Sequence, residues 1–202
     1  MYVTDSMIRR MAELYGVPAG KSFVIDCTQE EVDRIRASQR DGRDHDATVY
    51  IRKDNKVVVI AKHFYPPGLY RAPSGGIHLG EDFVSGVRRE MAEETGCEFR
   101  FDRFLLKTSV QFVFNPGVHA SPGLNRQGKT DVVWRSFVFL ATYTGGDFKF
   151  TDTREIREAR LADWSEFATF SKIMRTLSRG GFTYRAALHE AVLEAMAKPQ
   201  GR

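Results

Sequence analysis

The stretch GGIHLGEDFVSGVRREMAEETGC, Gly75 to Cys97, sets Glu90, Glu93 and Glu94 close together, with Arg89 as the one cation at a helical spacing of three or four from any of them. Like charges three and four residues apart on a helix repel by a few tenths of a kcal/mol per pair, so something must offset that cost. At about 100° per residue, Val84, Val87, Met91 and Thr95 fall in one narrow stripe suited to a core. The three carboxylates occupy a separate arc of about 100°, with Glu94 nearest the apolar border. A solvated acidic face is one reading of this arc. The preceding loop favours another, because Gly75, Gly76 and Gly80 permit backbone conformations and close approaches that other residues resist. Converging carboxylate oxygens suit a hard divalent cation, whose remaining positions go to water and phosphate oxygens.

Gly75, Glu81, Arg89, Glu90, Glu93, Glu94, Gly96 and Cys97 stand at the spacing GX5EX7REUXEEXGU, and in this the chain resembles the Nudix family. The flanking pattern extends the resemblance to roughly residues 45 to 165. It implies an α/β/α sandwich and Mg²⁺- or Mn²⁺-dependent attack of water on a diphosphate linked to another moiety, usually in a nucleotide. On matching positions Glu90, Glu93 and Glu94 would hold the metal, and Glu81 would brace the loop or act as a further ligand. Arg89 would orient a glutamate, with Glu93 one turn away as its expected partner, and a main-chain carbonyl of Ser74 or Gly75 would add a ligand. Bound cations neutralise anhydride oxygens and acidify water for in-line attack. Two residues depart from the commonest loop: Ser74 stands at the first of two glycines that follow proline, and His78 replaces a frequent glutamate. His78 is read as a loop side chain rather than a ligand. In many relatives the general base is a carboxylate on a later loop, which points to Asp152 and Glu155 in TDTREIREAR, with Glu90 as competitor.

Substrate choice lies outside the box. Markers of NADH pyrophosphatases, coenzyme A hydrolases and diadenosine polyphosphate hydrolases are missing, and Pro116 lies a few residues beyond the proline that marks ADP-ribose pyrophosphatases. Tyr65, Tyr70 and Arg71, in a proline-rich loop, have side chains suited to stacking on a base and pairing with phosphate. Arg126 and Lys129, in the long segment from Asn115 to Asp131, could close over a phosphate. The expected substrate is a nucleoside diphosphate linked to another group, with ADP-ribose or a nucleotide sugar first. A nucleoside triphosphate or RNA-end pyrophosphohydrolase is the enzymatic rival, and a non-catalytic nucleotide sensor is the rival of another class.

These residues need a scaffold, and the chain is long enough for one sizeable core. Strand patterns at ATVYIR, KVVVIAK, RFLLKTSVQFVF, VVWRSFVFLATY and EIREARLA, with scattered helices, predict a mixed α+β fold. The box helix is expected from about Asp82 to Thr95, stopped by Gly96. Residues 1–44 read as an extension (helix, strand, helix), and 45–202 as the Nudix domain with its carboxy-terminal helices. An apolar stripe through Ala187, Leu188, Ala191, Val192 and Ala195 suggests a homodimer. With 30 basic and 26 acidic residues the net charge is +4, too balanced to argue for nucleic acid or an anionic membrane. Cys27 and Cys97 form no CxxC pair, the amino terminus lacks a signal-peptide core, and no apolar run approaches a bilayer span. A cytoplasmic location is expected.

Overall fold

The computed structural model describes residues 2–115 and 132–197. Helix α1 (Asp5–Tyr15), strand β1 (Ala19–Cys27) and helix α2 (Gln29–Arg40) come first, followed by strands β2 (His45–Lys53), β3 (Lys56–Lys62) and β4 (Ser74–Gly75). Helix α3 (Phe83–Thr95) carries the box, and β5 (Cys97–Phe114), β6 (Val132–Gly146), β7 (Ile156–Asp163), α4 (Glu166–Thr176) and α5 (Gly180–Ala197) complete the chain. The strands form one mixed sheet in the order β1-β5-β6-β2-β3-β7, with β4 paired to β2.

Central strands are apolar at successive positions because both of their faces are covered. Val49, Ile51 and Val58 join one core with Ile8 and Met11 of α1 and Phe83, Val87 and Met91 of α3. Tyr50, Val57 and Val59 point the other way, into a core with Val32 of α2, Phe167 and Met174 of α4, and Leu188 and Val192 of α5. Period-two alternation thus feeds two helical layers, which makes the expected sandwich.

β1 lies parallel to β5, Ala19 opposite Leu106 through Cys27 opposite Phe114, so the amino-terminal segment is part of the sheet. The stripe on α5 is used internally. Leu188, Ala191, Val192 and Ala195 are buried in the chain's own core, because the sheet face beneath them needs a cover. That stripe is therefore not a free subunit face, as the sequence had suggested.

β2 divides its partners. Arg52 and Lys53 pair with Val57 and Lys56 of β3, whereas Ala47 and Thr48 pair with Gly75 and Ser74 of β4. The chain between β3 and β4 returns along Ile60, which exchanges two backbone hydrogen bonds with Arg71. This route delivers Ser74 and Gly75 to the start of β2. Helix α3 begins after Asp82, whose carboxylate accepts the Ser85 N–H at 3.0 Å, and ends where Gly96 takes a φ of 66°. Its buried stripe is Phe83, Val87, Met91 and Thr95; Val84, expected in that stripe, is only half-buried.

Candidate functional site

The box helix carries its acid on a guanidinium hub. Arg89 forks onto Glu81 with two hydrogen bonds, Nε to Oε1 at 2.9 Å and Nη2 to Oε2 at 3.0 Å. Its Nη1 donates to Glu90 at 3.0 Å and to Glu93 at 3.3 Å, and Nη2 also reaches the Gly76 carbonyl at 3.1 Å. The expected Arg89–Glu93 contact is present, and it is the longest of the five bonds. Bonding to Arg89 holds the Glu81 carboxyl down at about 2, helped by the His78 N–H. Glu81 is thus an ionised strut between the loop and the helix. Gly75 has a steric reason as well, because a β-carbon there would collide with the Glu90 carboxylate.

Glu94 lies apart from this hub, buried at 4% exposure. Its carboxylate accepts the Ser74 N–H at 2.8 Å and Arg71 Nη2 at 3.3 Å. Burial pushes its pKa up against the opposing pull of the Arg71 and Lys62 charges. Arg71, read from the sequence as a substrate residue, has its guanidinium hydrogen-bonded to Tyr65 Oη, Ala72 O, Ser74 Oγ and Glu94. The cation that offsets repulsion at Glu94 therefore comes from 23 residues away, a pairing that helical spacing does not reveal.

Ser74 Oγ accepts a second guanidinium, that of Arg185 on α5, at 3.0 Å. Arg185 also donates to Asp46 Oδ2 at 2.6 Å and to Thr48 Oγ1 at 3.0 Å. Asp46 is 3% exposed and also accepts from the Ser136 hydroxyl. This pair links β2, β4 and α5, and Ser74 joins it to Glu94.

Above it opens a cleft of two joined lobes. The larger, about 350 Å³, is bordered by Arg43, Asp46, Ser74, Phe112, Trp134 and Tyr184. The smaller, about 230 Å³, is bordered by Phe64, Tyr65, Arg179 and Phe182. Glu31, Arg34, Lys62, Arg71, Gly181 and Arg185 line both. Arg43 sits over the Trp134 ring at 6.0 Å, and its guanidinium fills the space a β-carbon on Gly76 would need. Arg43, Lys62, Trp134 and Arg185 were not singled out from the sequence. Nothing in their local sequence marks them, because the fold brings them together from the link after α2 and from β3, β6 and α5.

Of the remaining sequence candidates, Tyr65 reaches the cleft wall but is 6% exposed. Tyr70 does not line the cleft; its hydroxyl donates to Glu158 at 2.8 Å and its ring lies 4.0 Å from the Arg160 guanidinium. The backbone N–H groups of Thr151 and Asp152 both donate to the Glu93 carbonyl at 3.0 Å, which ties their loop to the end of the box helix. Asp152 Oδ1 accepts the Glu155 N–H at 3.3 Å. The Glu155 carboxylate pairs with Lys62, which holds its pKa down. Arg126, Lys129 and Pro116 lie outside the described residues.

Among the described residues, no three His, Cys, Asp or Glu side chains are arranged as a metal cage. The donor set still fits a hard divalent cation by type and place. Glu90 abuts Gly75 and Glu94 is bound to the Ser74 N–H, so two carboxylates meet one two-residue strand and every donor is oxygen.

A sequence model of the NUDIX domain matches residues 42–181. An ADP-ribose pyrophosphatase of Methanocaldococcus jannaschii is 32% identical over 114 residues, 56% of this chain and 57% of that protein. The aligned part thus spans little more than half of that relative's length. Among solved structures, a NUDIX hydrolase from Nitrosomonas europaea superposes with a TM-score of 0.50 at 19% identity, covering 78% of this chain and 93% of the other. An ADP-ribose pyrophosphatase from Streptococcus suis gives 0.47 at 13% identity, covering 78% and 95%. With its box folded around Arg89 and residues 42–181 matching that domain, the chain belongs to the NUDIX family.

Proposed function

We propose that the protein hydrolyses the diphosphate bond of a nucleoside diphosphate linked to a second group, using Mg²⁺ or Mn²⁺, with ADP-ribose as the first substrate to test. One observation carries this reading: the box carboxylate Glu94 is bound to Ser74 and Arg71, which line a cleft whose floor also carries Arg34, Lys62 and Arg185. Glu90, Glu93 and Glu94, with Glu81, would hold the cation. Bound there, it neutralises diphosphate oxygens and lowers the pKa of water. Arg43 stands between the glycine loop and Trp134, placed to pair with phosphate while the indole takes a base face. Lys62 and Arg185 border the same lobe, paired with Glu155 and Asp46 respectively. Glu155, kept ionised by Lys62 beside that floor, is the base candidate, whereas Asp152 serves the turn that presents it.

The name of the archaeal relative supports ADP-ribose. A purely sensing module is disfavoured because Glu81, Glu90, Glu93 and Glu94 are all present and braced. The test is a screen of ADP-ribose, nucleotide sugars, dinucleotides and nucleoside triphosphates with each metal, products identified by mass. AMP and ribose 5-phosphate from ADP-ribose are expected. Release of pyrophosphate from triphosphates alone would overturn the reading, and no turnover in folded protein would favour the sensor.

A further inference from the structure

Three successive backbone groups of the glycine loop are held by side chains. The Gly76 carbonyl accepts from Arg89 Nη2 at 3.1 Å, the Ile77 N–H donates to His45 Nε2 at 3.2 Å, and the His78 N–H donates to Glu81 at 2.9 Å. Arg89 and Glu81 belong to the box, whereas His45 opens β2, 32 positions before Ile77. The first two of these groups are the ends of one peptide unit, which is planar with its C=O and N–H on opposite edges. Arg89 and His45 therefore grip that unit from both sides, and a rotation of it loosens both.

His45 is wholly buried, and its ring lies against Phe137 with centroids 6.3 Å apart. Because Nε2 accepts, the ring proton sits on Nδ1, which faces Asp44 Oδ1 at 3.4 Å. The same carboxylate oxygen accepts Arg135 Nη2 at 2.9 Å, and Arg135 also donates to the Val3 carbonyl at 3.3 Å. Asp44 thus sets the tautomer, and Arg135 sets Asp44. Burial lowers the pKa of the ring against the pull of Asp44, which keeps Nε2 free of a proton. A polar ring is costly to bury unless its bonds are made, and here the bond that is made lands on the box loop. We infer that His45 is a positioning residue for the box: through the Gly76–Ile77 peptide it sets where Arg89 holds Glu81, Glu90 and Glu93, with Asp44 and Arg135 fixing the ring that does so. Only the catalytic consequence rests on the proposed diphosphate hydrolysis; the link from His45 to Arg89 belongs to the protein alone.

Two substitutions separate the ring nitrogens. His45→Gln puts an amide oxygen near the place of Nε2 and keeps an acceptor for Ile77, whereas His45→Asn reaches only the place of Nδ1. Ile77 amide exchange, the ¹H–¹⁵N signal of Arg89 Nε and stability in urea are measured for each, with kcat and KM on the substrate found in the screen. In the wild type the ring should carry its proton on Nδ1, and the Ile77 amide should exchange slowly. His45→Asn should speed that exchange, shift the Arg89 signal and lower kcat about tenfold with KM little changed, short of the roughly 100-fold that an ångström of misplacement can cost. His45→Gln should restore all three. In an Arg89→Ala background His45→Asn should cost little more, since both act by one route. A wild-type proton on Nε2, an Arg89 signal unmoved by His45→Asn, a glutamine variant no better than the asparagine one, or fully additive losses would overturn the inference. Tautomer and exchange are read on the wild type as well, so a variant that fails to fold does not shelter it. Responses of Ile77 and Arg89 as expected, in a protein that turns over no substrate, would leave His45 in its role and defeat the hydrolytic reading instead.

Discussion

The two sides of the site are built in different ways. On the box side, Glu81, Arg89, Glu90 and Glu93 are tied by one guanidinium within a single loop and helix. On the cleft side, the floor is assembled from α2, β2, the strand before the proline-rich loop, and α5. Glu94 is the point where the two sides meet, since its carboxylate is bound to Ser74 and Arg71 of the cleft lining. Glu81, Glu90 and Glu93 are held by local spacing, whereas the cleft is held by tertiary packing.

Removing the hub is the hardest test of this division. Arg89→Ala frees three carboxylates at once, and misplacement on the scale of an ångström can lower turnover about 100-fold. The loss should fall on kcat, with KM for ADP-ribose little changed. Arg89→Lys should not restore it, because an ammonium cannot reproduce the fork onto Glu81. A rise in KM with kcat intact would show that the box side also sets affinity.

A second test addresses the cleft side through stability. Arg185→Met leaves Asp46 buried without its cation, a change that costs about 3–5 kcal/mol in comparable buried pairs. Adding Asp46→Asn should recover much of that loss in urea unfolding. Equal stability of the single and double variants would mean that the pair is not coupled.

The smallest effect separates the two sides by pH. His189 on α5 packs against Phe167 and Tyr50, and burial, with the Arg185 and Arg71 charges, lowers its pKa from 6.5 to about 3. The unfolded chain therefore takes up a proton that the folded chain refuses, so stability drops as pH falls below 6.5. Glu81, lowered to about 2, contributes stability that is present above its ordinary 4.5 and is lost as pH falls from there. His189→Leu should flatten the melting temperature between pH 6.5 and 4.5 while leaving the decline below 4.5. Identical profiles for both proteins would remove His189 from the account.

The sequence made the box legible because its spacing encodes a helix face, and a helix face is local. Strand positions were legible for a related reason, since apolar runs such as KVVVIAK require cover on both faces. Arg71 was visible as a cation, but its partner was not, because Glu94 meets it only after β3 and the return along Ile60 have formed. Arg185 was hidden more deeply. It sits in a helix whose apolar stripe looked sufficient to explain it, and its carboxylate partner lies 139 positions earlier. Glycines carried more information than their number suggests: Gly75 and Gly76 mark where Glu90 and Arg43 press against the backbone.

Glu31 makes one further point. Its carboxylate completes the Thr28 capping box on α2 and also accepts the N–H groups of Gly180 and Gly181 at the start of α5, the latter from 150 positions away. One side chain thus satisfies the amino ends of two helices and fastens the two walls of the cleft together. Chains emerge from the ribosome amino end first, so the box is complete well before this fastening can close. A nascent chain halted before Gly180 holds every box carboxylate but only one wall of the cleft. Time of synthesis therefore orders the two sides: the box is made first, and the second wall of the cleft last.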